Sequence, residues 1–329
     1  MYDVITVGSS TIDVFAGVKS ELIKIKTVHH EEELIAYPCG SKILINKLGF
    51  LTGGGGTNTA VCFSRLGLKV AYLGMMGNGS NSELIIKELK KEKIKFLGVQ
   101  SRKYHTGYSI ILESLENDRT ILAYKGANNH LKYKSIDLKK LKTKWFYFSS
   151  MVDESYATLE KIAKFAEENN IKIAFNPSNY LAEKGYHYLK EVISRTTLLV
   201  LNKEEAMLLA GRGTPEELIK TLMNYGPKTV LLTDGKKGAY TISKNKFLAV
   251  VPNKIKPVET TGAGDSFAST FLANLIKKKD IKTSLSAACV NAESVILQKG
   301  AKGGLLTNRQ LLSQLKKKKI KITEKKVTI

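Results

Sequence analysis

The chain has 329 residues, 43% of them hydrophobic, and a formal net charge of +22 at pH 7. The apolar fraction is large enough for a folded core, which excludes a wholly disordered chain. The three cysteines are widely spaced, no stretch approaches 18 apolar residues, and no leader pattern precedes the first apolar segment. We therefore expect no disulfide framework, zinc site or membrane anchor, and we expect a soluble cytoplasmic protein.

A short apolar strand is predicted first, at Val4–Val7, and Asp13 follows it. Residues 53–67 then read GGGGTNTAVCFSRLG, a glycine run that leads into a predicted amphipathic helix at Thr59–Leu66. Each glycine raises the entropic cost of ordering a loop, so four together indicate that backbone must lie against a ligand. Asn58 adds a side chain that both donates and accepts hydrogen bonds, which suits sugar hydroxyls. A flexible tether before the helix is the alternative interpretation.

Short apolar strands and helical stretches alternate along most of the chain. Such alternation predicts a mainly parallel sheet with helices on both faces, whose ligands bind at the carboxyl ends of the strands. The further predicted strands are Val70–Leu73, Trp145–Phe148, Ile171–Phe175, Leu198–Leu201 and Thr229–Leu232, and the predicted helices are Glu83–Lys90, Ser155–Glu168 and Pro215–Asn224.

Residues 14–52 and 96–130 depart from this alternation, because both are rich in β-formers with a period of two. Within the second segment, Tyr108–Glu113 is predicted to pair with Thr120–Tyr124 across a turn at 116–118. We expect the two segments to form a small β-sheet lid over the substrate, with a decorative hairpin as the alternative. The core would then comprise residues 1–13, 53–95 and 131–315, followed by a lysine-rich tail at 316–329 that is frayed or forms a terminal strand.

Residues 260–267, which read TTGAGDSF, are the strongest functional signal. An apolar run with helical spacing follows Asp265, so Gly262–Gly264 should lie on the first turn of a helix. The first amide groups of a helix lack internal partners and carry the positive end of its dipole, and glycine lets an anion approach them. A carboxylate beside such a site can take the proton from a hydroxyl that attacks phosphorus. An ordinary glycine-containing helix start is the alternative.

These motifs together resemble the ribokinase-like (phosphofructokinase B type) carbohydrate kinase family over about residues 2–315. Members carry a Gly-Gly-x-Gly-x-Asn loop near the N-terminus and an Asp-Thr-x-Gly-Ala-Gly-Asp block near the C-terminus, and this chain has both in that order, with Glu259 in place of the first Asp. The resemblance implies a three-layer α/β/α sandwich with a mainly parallel central sheet and a small β-sheet lid. It also implies transfer of the ATP γ-phosphoryl group to a hydroxymethyl group of a sugar, sugar phosphate or nucleoside.

The resemblance assigns roles to individual residues. Asp265 would be the general base, with Gly262, Ala263 and Gly264 as the anion hole. Asp13, Gly53, Gly54, Asn58 and Asp265 would bind the substrate, and Asn202, Thr233, Gly235, Gly238, Cys289 and Asn291 the nucleotide. Glu205 would order Mg²⁺, directly or through water. Glu259 stands near the family's monovalent-cation site, which makes K⁺ a further candidate. Asn176-Pro177-Ser178, at a predicted strand end, is read equally as functional or as a turn.

The substrate and the assembly stay open at this level. Asp13 and Asn58 suffice for an uncharged sugar or nucleoside, the reading we favour. The four consecutive glycines and the basic lid residues Lys42, Lys47, Arg119 and Lys125 fit a sugar phosphate instead. A small lid sheet cannot easily bury one face by itself, so we expect a homodimer that pairs lid on lid.

Lysines cluster toward the C-terminus, at Lys277–Lys279 and Lys316–Lys319 among others. Such a positive field attracts phosphorylated ligands and nonspecific nucleic acid. No aromatic-basic interleaving, recognition helix or cysteine-histidine module accompanies it, so nucleic-acid binding is not the expected function. A basic nucleic-acid-binding protein and a non-catalytic protein on a kinase fold remain the alternatives from other classes.

Overall fold

Strands and helices alternate through the computed structural model, which describes residues 1–18, 21–26, 31–113 and 119–328. In chain order the strands are β1 Tyr2–Val7, β2 Thr11–Val18, β3 Glu21–Lys26, β4 Glu31–Ala36, β5 Ile45–Gly53, β6 Val70–Leu73, β7 Met75–Gly77, β8 Lys95–Phe96, β9 Val99–Ser101, β10 Gly107–Glu113, β11 Arg119–Tyr124, β12 Thr143–Phe148, β13 Lys172–Phe175, β14 Leu198–Asn202, β15 Thr229–Thr233, β16 Ala239–Ser243, β17 Lys246–Val251 and β18 Lys321–Lys326. The helices are α1 Gly55–Arg65, α2 Ser80–Lys91, α3 Asp153–Glu168, α4 Ser178–Ala182, α5 Tyr186–Ile193, α6 Lys203–Ala210, α7 Pro215–Asn224, α8 Ala263–Ile276, α9 Ile281–Val295 and α10 Asn308–Lys317.

Ten of these strands form the central sheet, in the order β18-β17-β16-β15-β14-β13-β12-β1-β6-β8. The seven strands at one end of this order, which are β15, β14, β13, β12, β1, β6 and β8, run parallel to one another. Parallel neighbours need a crossover, and helices supply it here, as the alternation predicted. The remaining three strands extend the sheet antiparallel at one edge. Strands β16 and β17 were not predicted from the sequence, and a terminal strand was one of two alternatives for the tail that forms β18.

Alternate residues along each central strand face opposite sides of the sheet and enter two separate cores. Val4 belongs to a core that includes side chains of α1, α8 and α9, whereas its neighbour Ile5 belongs to a core that includes side chains of α3, α5 and α7. Both residues are fully buried. Because each face of the sheet is covered by helices, the strands read as continuous apolar runs. The three-layer α/β/α prediction is confirmed.

A second sheet of four strands has the order β11-β10-β2-β5. Its strands come from the two segments predicted to form the lid, and β10 pairs antiparallel with β11 from Tyr108↔Tyr124 to Glu113↔Arg119. The predicted turn at 116–118 lies outside the described residues. Strand β2 begins at Thr11, so Asp13 belongs to this smaller sheet. Two-stranded pairs form between β3 and β4 and between β7 and β9.

Helix α1 begins four residues earlier than predicted, and the tail takes the second of its two predicted forms, a terminal strand. Helix α1 begins at Gly55 and not at Thr59, because Gly54 takes a positive φ of 93° and the Thr57 hydroxyl bonds the Gly53 carbonyl, which turns the glycine run into the first helical turn. The tail is ordered as well, since β18 pairs with β17 along Lys246↔Lys326 to Val251↔Lys321. Among the described helices, none combines the length and apolar character needed to cross a bilayer.

Candidate active site

The N-terminus of α8 opens onto unfilled space, as the glycine pattern predicted. Gly262 caps the helix in the left-handed region with φ 78°, and a Cβ there would lie 2.5 Å from the Cβ of Ala301. A Cβ added to Gly264 would meet nothing within 4 Å. The first amide groups of the helix therefore face an accessible space in which they can bind an anion.

Asp265 stands on this first turn and is tied to the glycine-rich helix α1. The Nδ2 of Asn58 donates to Oδ2 of Asp265 at 2.9 Å. Burial raises the pKa of Asp265 to about 6, although the Asn58 hydrogen bond and the positive charge of Lys302 act in the opposite direction. A carboxylate with such a pKa is ionised at neutral pH and more basic than an exposed aspartate, which is what a general base requires.

The glycine run surrounds Asp13. A Cβ on Gly53 would overlap the Asp13 carboxylate, and a Cβ on Gly54 would lie 2.6 Å from the Ser9 carbonyl oxygen. Asp13 is 9% exposed, accepts a hydrogen bond from Thr11 Oγ1 at 2.8 Å, and has its pKa raised by burial. The glycines are thus needed for close approach, and they leave Asp13, Asn58 and Asp265 in one neighbourhood. The flexible-tether interpretation does not fit this packing.

One polar side chain at this place, Ser149, was missed by the sequence analysis. A Cβ on Gly55 would lie 3.1 Å from Ser149 Oγ and 3.7 Å from Asp265 Oδ1, so both groups border the same space. Ser149 Oγ and Asn58 Oδ1 are buried and make no hydrogen bond within the described part of the chain. Buried polar atoms without partners are rare and indicate a ligand or water. A serine at a strand end carries no signal of its own in the sequence.

A cleft of about 630 Å³ is lined in part by Ala263 and Gly264 of the α8 N-terminus. Of the residues predicted to bind nucleotide or phosphate, Thr233, Gly235, Gly238, Cys289, Ala263 and Gly264 line it. Three lysines, Lys236, Lys254 and Lys256, contribute positive charge to its walls. The cleft has the size of a small-molecule site and favours an anionic ligand.

The prediction that Asn291 borders the adenine does not fit the structure. Asn291 is fully buried, donates to Thr270 Oγ1 at 2.7 Å and accepts from the Leu306 amide at 2.9 Å. Cys289 lines the cleft two residues earlier, and Glu293 does so two residues later. Residues two apart on a helix point in different directions, which explains why one asparagine faces the core between two residues of the cleft. Glu293, which the sequence reading missed, is held by Asn253 and by Lys318 at 2.8 Å.

Asn202 and Glu205 cap helix α6 at the carboxyl end of β14. The Asn202 Oδ1 accepts the Glu205 amide at 2.8 Å, and Glu205 Oε2 accepts the Asn202 amide at 2.9 Å. Glu205 is 6% exposed, and burial raises its pKa. Asn202 does not line the cleft, so its visible role is structural. The described residues contain no cluster of three or more metal-ligating side chains. A single carboxylate does fit Mg²⁺, which keeps several waters and takes few protein ligands.

Glu259 and Asn176 occupy connecting positions. The Glu259 carboxylate accepts the Gly300 amide at 2.8 Å, which ties the segment before the anion hole to the loop after α9. The Asn176 amide donates to the Val200 carbonyl at 2.9 Å and joins the ends of β13 and β14. This contact supports the structural interpretation of Asn176, in which the residue shapes the end of a strand.

The sequence matches a family model described as pfkB family carbohydrate kinase over residues 7–308. The chain belongs to the pfkB family of carbohydrate kinases, and it is a phosphotransferase with an alcohol group as acceptor, as the sequence predicted. It is 27% identical to a ribokinase of Bacillus subtilis over 275 residues, which are 83% of this chain and 90% of that one. It is 26% identical to an ATP-dependent 6-phosphofructokinase of Thermoanaerobacterium thermosaccharolyticum over 294 residues, 86% of this chain and 84% of that one.

Solved structures share the fold across almost the whole chain. A nucleoside kinase of Methanocaldococcus jannaschii superimposes with a TM-score of 0.80 at 23% identity, covering 97% of this chain and 99% of that one. An E. coli chain described as ribokinase II, solved with ATP and Mg²⁺, gives a TM-score of 0.82 at 19% identity, covering 97% and 100%. Acceptors of different chemistry are thus found on this one fold.

Proposed function

We propose that the protein transfers the γ-phosphoryl group of ATP to a hydroxymethyl group of a neutral sugar or a nucleoside. One observation carries the proposal: the first turn of α8 contributes residues both to the cleft and to the glycine-lined space around Asp265. Ala263 and Gly264 line the large cleft, whereas Asp265 is hydrogen-bonded to Asn58 in the glycine-lined space beside Asp13. A donor in the cleft and an acceptor beside Asp265 would meet at the helix N-terminus.

The cleft supports an ATP donor. Its three lysines favour a polyphosphate, and its apolar wall, which includes Phe267 and Ile296, suits a nucleobase. The E. coli structure with ATP and Mg²⁺ supports the same assignment. We propose Glu205 as the residue that holds Mg²⁺, directly or through water. When bound, the ion would neutralise phosphate charge. We also keep K⁺ as a proposed cofactor near Glu259.

Asp265 and the α8 amides would divide the chemical work. Asp265 accepts the proton of the acceptor hydroxyl, and its pKa of about 6 leaves it ionised at neutral pH. The amides of Gly264 and Asp265 stabilise the negative charge on the transferring group. Because these groups lie on a rigid helix, they need little reorganisation during the reaction.

The acceptor site supports a hydroxyl-rich, uncharged molecule. The carboxylate of Asp13 and the unpartnered Asn58 Oδ1 and Ser149 Oγ provide acceptors and a hydroxyl for sugar hydroxyls. A sugar phosphate is the second candidate, because Lys47 and Lys299 line a separate pocket of about 310 Å³ beside β5. Similarity to a 6-phosphofructokinase favours that candidate as well. Family membership favours both over nucleic-acid binding.

The smaller sheet supports a proposed homodimer and a lid function. Leu44, Leu48 and Phe50 are 89%, 59% and 59% exposed, and Leu122 and Tyr124 of β11 are 53% exposed. Monomers rarely expose so many large apolar side chains on one sheet. Pairing of two such sheets would cover them and would exclude water from the acceptor. We further propose a cytoplasmic location, which the three free cysteines support.

A coupled ADP-release assay tests the function. The purified protein, with ATP and Mg²⁺, is assayed against ribose, fructose, fructose phosphates, adenosine and cytidine. With a neutral sugar or a nucleoside, we expect a rate of ADP release at least ten times the rate without acceptor. A tenfold ratio corresponds to about 1.4 kcal/mol in activation free energy. Turnover with the fructose phosphates alone selects the second candidate. Absence of acceptor-dependent ADP release across a widened panel would refute the proposal.

A further inference from the structure

A buried lysine lies in the loop that follows α9. Lys302 is 7% exposed, and its Nζ donates to Glu88 Oε2 at 2.6 Å and to Thr52 Oγ1 at 3.0 Å. Three separate parts of the chain thus meet at one ammonium group: the loop after α9, helix α2 and lid strand β5. Nothing in the sequence distinguishes this lysine from the many others of the chain.

Stabilisation of the fold does not account for this ion pair. Lysine is almost never fully buried unless it is paired, and the desolvation of a buried pair offsets most of its mutual attraction. Burial also lowers the pKa of Lys302, against the attraction of Glu88, Asp13 and Glu92. An apolar pair of similar size would fill the same volume at no such cost, so the charge itself calls for a role.

The position of Lys302 links it to both acceptor-site carboxylates. Thr52, which it contacts, pairs with Ile12 in the lid sheet and precedes Gly53, whose α-carbon abuts the Asp13 carboxylate. The neighbouring Ala301 packs against Gly262 at the anion hole. Among the residues that the structure describes, Lys302 is the positive group that favours the ionised forms of both Asp13 and Asp265, whose pKa values burial raises.

The other charged or titratable groups nearby do not offset this burial. Glu205, Tyr147 and Cys62 interact with Asp265, and Glu259 interacts with Asp13. All of them are neutral or negative. Glu92 faces Lys302 but is paired with Arg65 at 2.7 Å, and Glu88 is paired with Lys302 itself.

We propose that Lys302 is a positioning residue of the kinase reaction, whose ammonium, held by Glu88 and Thr52, keeps the two acceptor-site carboxylates ionised and in place. The inference rests on the proposed function, because the ionised Asp265 is the base of that reaction. The inference goes beyond the proposed function because it gives the loop after α9 a role in acceptor activation. This role acts through Thr52 on strand β5 and through Ala301, which packs against Gly262.

Two substitutions at the same ion pair test the charge, because they change it in opposite directions. Lys302→Met leaves Glu88 negative, so the pH below which kcat/KM for the acceptor falls should rise by about one unit. Glu88→Gln leaves Lys302 positive, so the same pH should fall or stay unchanged. A purely structural ion pair predicts similar losses of activity in both variants and no rise of this pH in Lys302→Met, and that result would overturn the inference.

A second pair of variants covers the case in which Lys302→Met does not fold. Glu88→Gln combined with Lys302→Met removes both charges and suits a buried site. In this double variant, the pH below which kcat/KM for the acceptor falls should still be higher than in the wild type. In Lys302→Arg, which keeps the charge, this pH should equal that of the wild type. If the wild-type protein has no acceptor-dependent turnover, the proposed function itself fails. If it turns over and this pH is unchanged in the double variant, only the role of Lys302 is refuted.

Discussion

The ionisation of Asp265 is a balance between burial, which raises its pKa, and the contacts with Asn58 and Lys302, which lower it. As the proposed base, Asp265 would act only when deprotonated, and burial raises its pKa to about 6. We therefore expect kcat/KM for the acceptor to be constant above that value and to fall about tenfold per pH unit below it. A pH profile under saturating ATP measures this. A profile that stays flat down to about pH 4 would contradict the assignment, since an unperturbed aspartate titrates there.

Glu205 provides a test of metal binding that spares the fold. Gln at this position can still accept the Asn202 amide, so Glu205→Gln should keep the cap of α6. It removes the negative charge, and we expect the Mg²⁺ concentration at half-maximal rate to rise about tenfold or more. Glu217→Gln is the matched control, because Glu217 caps α7 in the same way with Thr214 and lies on the surface. Equal Mg²⁺ dependence in the two variants would make Glu205 a capping residue only.

Among the secondary-structure elements, the junction between β5 and α1 determines how closely the backbone approaches Asp13 in the proposed acceptor site. A Cβ on Gly53 would overlap the Asp13 carboxylate, so Gly53→Ala should displace Asp13 and lower kcat/KM for the acceptor by about 10²-fold, while KM for ATP stays unchanged. Gly49→Ala is the control on the same strand, because its Cβ would meet only Phe15 Cβ at 3.9 Å. An equally small effect of both substitutions would mean that Asp13 does not bind the acceptor.

The sequence predicted those elements whose local pattern agrees with their final environment. Helix α8 has a glycine start, an acidic first turn and a long apolar run, and it forms where expected. Asn291 was misplaced because a helix buried on most sides shows little amphipathic contrast, so the sequence does not tell which residues face the core. Strand β18 was uncertain because its lysine-rich sequence has low β-propensity, and pairing with β17 holds it in the strand conformation. Lys302 and Ser149 could not be predicted, because their proposed roles depend on contacts with residues distant in the sequence.

At the scale of the whole molecule, the exposed apolar side chains of the smaller sheet predict the assembly. We expect light scattering to give twice the 36.4 kDa chain mass. Leu48→Asp should reduce the mass to that of one chain and lower activity, because a charge would be buried in the interface. Leu312→Asp is the control, since Leu312 is 51% exposed on α10, outside that sheet. A monomeric wild type with full activity would contradict the dimer and leave the sheet as a local flap.

The chain carries a net charge of +22, and three of its lysines line the large cleft. Some lysines form ion pairs, such as Lys318 with Glu293 and Lys325 with Glu216, and these pairs add nothing to the net charge. The lysines of the cleft are Lys236, Lys254 and Lys256. A positive cleft raises the local concentration of an anionic donor, and this attraction weakens with ionic strength.

In the proposed reaction, Asp265 activates an acceptor hydroxyl for phosphoryl transfer. The most direct measurement is single-turnover transfer of the γ-phosphoryl group to the acceptor by the wild type and by Asp265→Asn, with ATP affinity measured in parallel. Asn can still accept the hydrogen bond from Asn58 Nδ2, so the site should keep its shape. We expect the rate of transfer to fall about 10²–10⁴-fold while ATP binding is retained. Transfer by Asp265→Asn at the wild-type rate would contradict the account.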